Sequence, residues 1–300
     1  MTATAAPRIA LVTCKDLPEL DDDDRPVKAL LEQKGAVVST PAWDAGSIDA
    51  DLVVIRNTWD YTTRRAPFLA FVDETAARTT LANPASVIRD NSDKAYLARL
   101  QAQGIPTVPT IALEQGAALD VDAALARLPP STGYVLKPRV GAGSRATIKV
   151  AATDAGRAEA RAFLAEHLPK EPFLLQPFLP RIDQGEASLI YVDGVFSHAV
   201  NKTPKGADFR SQPDFGADVR PLVPSGAQRA LADRVLHSVS AGLPGPLLFA
   251  RIDLVVGLDG APALIEAELT EPSLYLAWDD GAATRLSDAI WQRALQAIRG

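Results

Sequence analysis

The alternation of apolar and polar positions changes character partway along the chain. Arg8-Ile9-Ala10-Leu11-Val12-Thr13 is a short apolar run, and Asp51-Leu52-Val53-Val54-Ile55 is a second with an unbroken apolar core. Strands of this kind are buried on both faces, as parallel strands flanked by helices are. Between them Val27, Leu30 and Leu31 recur at helical spacing up to Gly35, residues 36–39 read as another strand, and a helix through Phe68, Leu69 and Val72 comes later. The first ninety or so residues therefore predict a parallel α/β unit. Further on, residues 93–103 predict a helix ending at Gly104, residues 134–138 a strand running into a glycine loop, and residues 154–167 a helix. Two hairpins follow: residues 188–192 with 195–200 about Asp193-Gly194, and residues 250–256 with 263–269 about Asp259-Gly260. Residues 283–298 close the chain as an amphipathic helix. The second half thus reads as α+β with antiparallel strands.

Composition narrows the class. The chain has 300 residues, 47% hydrophobic and 23% charged, with a formal net charge of −6, which excludes a disordered, collagen-like or coiled-coil protein. The acidic balance and 6% aromatic content argue against nucleic-acid binding, which needs clustered cations. The single Cys14 permits neither an internal disulfide nor a cysteine zinc site and favours a reducing compartment. The apolar run Ile9 to Val12 is too short for a signal-peptide core, and no stretch approaches the roughly 18 apolar residues of a membrane span. The expectation is a cytoplasmic protein without a membrane partner.

Three segments carry candidate chemistry. Leu264-Ile265-Glu266-Ala267-Glu268-Leu269 places Glu266 and Glu268 on one strand face, and Asp253 in Arg251-Ile252-Asp253 lies across the hairpin. If Asp253 faces the two glutamates, three hard oxygen donors converge as a magnesium site requires; a solvated polar hairpin face carries the same E-x-E pattern. Lys137 ends an apolar strand just before Pro138-Arg139-Val140-Gly141-Ala142-Gly143-Ser144, where glycines let backbone N–H groups approach phosphate oxygens; a plain hairpin turn reads the same way. Gln176-Pro177-Phe178-Leu179-Pro180 is an apolar strand end suited to a hinge that offers backbone groups to an adenine edge, with carboxylates at Asp183 and Glu186 beyond it.

The order of these pieces, from Asp93-Lys94 through Leu136-Lys137-Pro138, Gln176-Pro177-Phe178, Arg251-Ile252-Asp253 and Glu266-Ala267-Glu268 to Thr270-Glu271-Pro272-Ser273, resembles the ATP-grasp superfamily and its glutathione-synthetase-like carboxylate ligases over nearly the whole chain. The resemblance implies an ATP-grasp fold: a parallel α/β substrate domain at 1–90, a central α+β subdomain with the glycine loop at 91–178, and a C-terminal α+β subdomain with the metal site at 179–300, ATP lying between the last two. It implies that Lys94, Lys137, Gly141, Gly143 and Ser144 hold the phosphates and Gln176, Pro177 and Phe178 the adenine. Glu186, with Asp183, would take the ribose. Asp253, Glu266 and Glu268 would hold one or two Mg²⁺, with Mn²⁺ as a substitute. The implied reaction is phosphorylation of a carboxylate to an acyl phosphate that a nitrogen attacks, so catalysis is positioning plus charge neutralisation.

One departure concerns charge. Glutathione synthetases place an arginine after the Gly-Asp/Glu pair that follows the hinge, and this chain has Ser188 after Gly185-Glu186. By the resemblance, Arg251 takes the oxyanion role and Lys137 the catalytic cation role. Substrate selection is expected beyond the strand of residues 51–55, at Arg56, Asn57 and Thr58; pairing of Arg56 with Asp60 and packing of Trp59 in a domain seam is the alternative. Lys205 and Arg210 in a glycine-containing loop, with Glu271 and Ser273, complete the expected substrate set. Arg56-Asn57-Thr58-Trp59-Asp60-Tyr61, Gly185-Glu186-Ala187-Ser188 and Glu271-Pro272-Ser273 are most similar to the branch containing the D-cycloserine-forming cyclo-ligase. The resemblance implies a small amino-acid-like carboxylate such as O-ureido-D-serine, closed through its aminooxy nitrogen. An intermolecular amino-acid or peptide ligase and a nucleotide-binding regulatory protein are the rival readings, and a homodimer is left open. His167 and His237 read as packing residues, Cys14 as a small core residue, and Asp21 to Asp24 as a solvated run before a helix.

Overall fold

The computed structural model describes residues 6–299 except 142, 144 and 206–215, so the expected roles of Ser144 and Arg210 lie outside the described residues. Strand β1 (Arg8–Thr13), helix α1 (Arg25–Gln33, with a proline in its first turn), strand β2 (Val37–Ser39), strand β3 (Leu52–Asn57), helix α2 (Arg65–Arg78) and strand β4 (Thr80–Ala82) form a parallel sheet of order β2-β1-β3-β4. Every residue of β3 is buried. Leu52 and Val54 pack with Ile9, Leu11, Val27 and Leu31, while Val53 and Ile55 face Tyr61, Phe68 and Val72 on the other side, which is why the strand carries no polar alternation.

Helices α3 (Ala85–Asn91) and α4 (Tyr96–Ala102) lead into the second sheet. The sequence predicts one helix over 93–103; instead α4 starts at Tyr96, because the Asp93 carboxylate accepts from the Ala95 amide at 2.9 Å and takes the Arg139 guanidinium in two bonds of 2.8 Å. Asp93 and Lys94 are thereby held outside the helix. The second sheet contains β5 (Ile111–Leu113), β6 (Gly133–Pro138), β7 (Ile148–Ala151) and β8 (Phe173–Pro177), antiparallel throughout in the order β5-β8-β6-β7, and is covered by α5 (Val121–Ala126) and α6 (Asp154–His167).

The third sheet, also antiparallel, has the order β11-β10-β9-β12-β13, from β9 (Glu186–Val192), β10 (Val195–Thr203), β11 (Asp218–Pro221), β12 (Phe249–Val256) and β13 (Pro262–Glu268), with α7 (Gly226–Val239) packed on it. The β9–β10 turn has Asp193 at φ 50° and Gly194 at φ 75°, the two left-handed positions that a tight hairpin requires. Helix α8 (Ala282–Ala297) returns to the first sheet: Leu286, Ile290 and Ala294 share a core with Ile9, Leu52 and Val54. The first and third sheets are also stitched by amides. Asn83 donates to the carbonyls of Phe249 and Leu269 at 2.9 Å, and Asn91 donates to Ala267 at 2.7 Å while accepting from the Leu269 amide at 2.8 Å. Both asparagines are satisfied on chain that belongs to the other sheet, so the two sheets are fixed relative to one another.

Candidate active site

A cavity of about 940 Å³ lies where the three sheets meet. Lys94, freed from α4, donates to the Gly141 carbonyl at 2.7 Å and pairs with Glu266 at 2.8 Å. Lys137, at the end of β6, faces the same space with no ion-pair partner among the described residues. Burial, with Lys94 adding to it, holds the Lys137 ammonium below its ordinary pKa despite Glu266. Burial pushes the Glu266 carboxyl up, but Lys94 and Lys137 outweigh it and leave it below the usual carboxylate value.

Strand register sets the other acids. Asp253 stands opposite Glu266, and Arg251 opposite Glu268. Asp253 accepts from Ser188 at 2.6 Å and from Arg251 at 2.9 Å, with Lys202 3.6 Å away. Burial works against its ionisation, yet Arg251 and Lys202 hold it down to about 2. Arg251 also bonds Glu268 and donates to the Ser273 carbonyl at 3.0 Å. Burial, joined by repulsion from Glu266 and Asp253, nevertheless carries Glu268 up to about 7. Glu271 reaches about 8, through burial first and the Glu268 charge second. Lys202 pairs with Glu186, and burial of its ammonium is more than offset by Asp253 and Glu186, so its pKa is raised.

Three sequence expectations meet a different geometry. Arg56, 1% exposed, does not line the cavity: it pairs with Asp24 at 2.9 Å, donates to the Pro272 carbonyl at 2.9 Å and lies over the Phe249 ring. Asn57 is buried beside it, donating to Asp24 at 3.0 Å, and Thr58 is buried behind the cavity wall. The strand simply continues through Arg56 and Asn57, because Asp24 and Pro272 supply partners that the local sequence does not reveal. Asp60, the other partner considered for Arg56, instead accepts from Trp43 at 2.7 Å and pairs with Arg64. Asp183 and Lys205 are exposed and outside the lining. The register sets Asp253 opposite Glu266, and all three expected carboxylates line the cavity, but Arg251 sits between Asp253 and Glu268, and among the described residues no three acidic groups stand close enough together to form a ready metal cluster.

The donor set still suits a hard dication. Glu186, Asp253, Glu266, Glu268 and Glu271 line the cavity together with Lys94, Lys137, Lys202 and Arg251, and every acidic donor is oxygen. Gln176, Pro177, Phe178, Gly141 and Gly143 all line it. Gln176 is 3% exposed and donates to Thr110 at 2.8 Å. The residues that sequence reasoning missed are Lys202 and the opposite wall, with Asp21, Asp22, Asp23, Tyr61 and Tyr275. Lys202 reads as the start of a lid loop, yet β10 runs on to Thr203 and its alternation with His198 and Val200 buries Lys202; the uninterrupted strand up to Pro204 was the available signal.

Residues 121–273 match the family described as prokaryotic glutathione synthetase, ATP-grasp domain, and residues 9–83 match D-cycloserine synthetase DcsG, N-terminal domain. The cycloserine biosynthesis protein DcsG of Streptomyces lavendulae is 34% identical over 305 residues, covering 95% of this chain and 98% of that protein. The chain belongs to the ATP-grasp ligases. Within that family, the crystal structure of D-cycloserine synthetase DcsG superposes with a TM-score of 0.86 at 32% identity, over 96% of this chain and 99% of that one. A D-alanine–D-alanine ligase from Bacillus anthracis, complexed with ATP, shares the fold at a TM-score of 0.66 and 16% identity, over 98% and 99% of the two chains. ATP-grasp proteins bind ATP and Mg²⁺, and this chain is an ATP-dependent ligase of that family. Among the described residues no helix is long and apolar enough to cross a membrane.

Proposed function

We propose that the chain activates the carboxylate of a small amino-acid-like substrate as an acyl phosphate and closes a ring onto a nitrogen of the same molecule, as in D-cycloserine formation from O-ureido-D-serine. The observation that carries this reading is the meeting, in one cavity, of Lys94 and Lys137 with Glu266 and Arg251, walled on one side by the domain that matches the D-cycloserine synthetase N-terminal family.

In this reading the adenine lies against Gln176, Pro177 and Phe178, and the β- and γ-phosphates approach Lys94, Lys137, Gly141 and Gly143. Glu266 and Glu268, with Asp253 behind them, would hold one or two Mg²⁺; Mn²⁺ suits the same oxygens. The ion supplies charge neutralisation for the triphosphate when bound. Arg251 is anchored on Asp253 and Ser273, so its guanidinium is preorganised for the oxyanion that develops on the acyl carbon. Removing such a donor costs about 10²–10³ in turnover. Lys202 supplies the cation beside Glu186 and Asp253 that Ser188 does not. Glu186 is left to Lys202 rather than to a ribose. The single buried thiol of Cys14 suits a reducing cytoplasm.

The test is mass analysis of products with ATP, Mg²⁺ and O-ureido-D-serine as sole organic substrate. The reading expects ADP, phosphate and a cyclic product lighter than the substrate. A heavier condensed product would make the enzyme an intermolecular ligase, and retained ATP without turnover would make it a binding protein.

A further inference from the structure

Residues 271–274, between β13 and α8, are fastened carbonyl by carbonyl by side chains from three strands and from the turn after β3. Trp59 Nε1 donates to the Glu271 carbonyl at 2.9 Å, Arg56 Nη2 to Pro272 at 2.9 Å, Arg251 Nη1 to Ser273 at 3.0 Å and His198 Nε2 to Leu274 at 2.9 Å. Four consecutive carbonyls held this way make a rigid strap, since each side chain is itself fixed by a strand or by a turn next to one. The side chain that the strap aims into the cavity beside Lys94, Glu266 and Glu268 is Glu271, hydrogen-bonded by the Tyr61 hydroxyl.

Glu271 differs from its acidic neighbours in its partners. Glu186 is held by Lys202, Asp253 by Arg251 and Ser188, Glu266 by Lys94, and Glu268 by Arg251. Glu271 has no ion-pair partner among the described residues; Tyr61 occupies part of its acceptor capacity and leaves the rest facing the cavity. A carboxylate accepts several hydrogen bonds, so one donor does not saturate it.

Resting on the ring-closing reading above, we infer that Glu271 is the base that receives the proton of the attacking substrate nitrogen, with Tyr61 as the positioning residue that aims its carboxylate. The nitrogen lone pair forms the bond to the acyl carbon, the bond from that carbon to the phosphate oxygen breaks with its electron pair leaving on phosphate, and the nitrogen proton passes to Glu271 in its ionised form. On O-ureido-D-serine that nitrogen still carries its carbamoyl group, so one water then adds to the carbamoyl carbon, breaking its bond to the ring nitrogen, which takes the water's proton while carbamic acid leaves. The strap explains why Arg56 and Trp59 sit where a substrate contact was expected: they hold the backbone that carries the base.

The experiment separates activation from bond formation. Wild type, E271Q, E271D and Y61F are supplied with ATP, Mg²⁺ and O-ureido-D-serine, with and without hydroxylamine, which intercepts an acyl phosphate as a hydroxamate without a positioned base. General-base catalysis contributes about 10²–10⁴-fold. The inference expects E271Q to form cyclic product at least about 10²-fold more slowly while hydroxamate forms within about threefold of wild type. E271D should show the same split with a smaller loss, and Y61F a loss of about tenfold in product alone. Parallel loss of hydroxamate and product in both Glu271 variants would overturn it in favour of a nucleotide or metal role, and product formation within threefold of wild type in E271Q would overturn it outright. Absence of hydroxamate with wild type would instead bring down the ligase reading itself.

Discussion

Replacing Arg56 by Met distinguishes a ligand-binding arginine from one that builds the site's wall. The guanidinium is 1% exposed and gives two bonds of 2.9 and 3.1 Å to Asp24 and one of 2.9 Å to Pro272. Met fills much of the volume but leaves Asp24 buried with Asn57 as its remaining side-chain donor. Breaking one side of a buried pair costs about 3–5 kcal/mol, because the abandoned charge keeps its desolvation penalty. At roughly 2 °C per kcal/mol for a chain of this size, thermal unfolding followed by tryptophan fluorescence should shift down by about 6–10 °C. Pairing the change with Asp24→Asn should cost little more than either change alone, since both remove the same interaction. The KM for the substrate carboxylate should change far less than the stability. A shift under 2 °C together with a large rise in that KM would refute the structural role and restore Arg56 as a substrate contact.

Other outcomes follow from local geometry. Gly156→Ala in α6 should destabilise by about 3 kcal/mol, because a Cβ there would lie 2.1 Å from the Ala151 carbonyl oxygen; a gain in unfolding temperature, as Gly→Ala gives in an open helix, would contradict the packing. Lys202→Met should lower kcat about 10²–10³-fold in a phosphate-release assay, and an unchanged kcat would remove Lys202 from the charge-stabilising set. Burial holds the His198 imidazole below its ordinary pKa of 6.5, so the unfolded chain takes up this proton first as pH falls. Stability from His198 is therefore complete above about 6.5 and is lost as pH drops toward the lowered native value, so wild type should lose unfolding temperature relative to His198→Gln as the pH falls below about 6.5; parallel curves would contradict it.

Much of the fold is legible because burial leaves a direct mark on residue type. The apolar core of β3 reports coverage on both faces, and Asp193-Gly194 reports a hairpin through its left-handed backbone. Lys137, Asp253, Glu266 and Glu268 stand out because charge at the end of, or within, an apolar strand is costly without a partner. Partners far away in sequence are what the chain does not display. Arg56 looks like a ligand contact because Asp24 and Pro272 are 32 and 216 residues distant. Lys202 looks like loop because nothing nearby announces Glu186 and Asp253 as its counter-ions. The three-part division misses that α8, at the end of the chain, completes the core of the first sheet, since an amphipathic helix does not specify which face it will cover. The short strands β5 and β11 carry too few periodic positions to be read alone.

The central claim is that the substrate carboxylate is activated by phosphoryl transfer, and isotope transfer reads it directly. With oxygen-18 in the O-ureido-D-serine carboxylate, ATP and Mg²⁺, one labelled oxygen per turnover should appear in the released phosphate. Product accompanied by unlabelled phosphate would contradict the account.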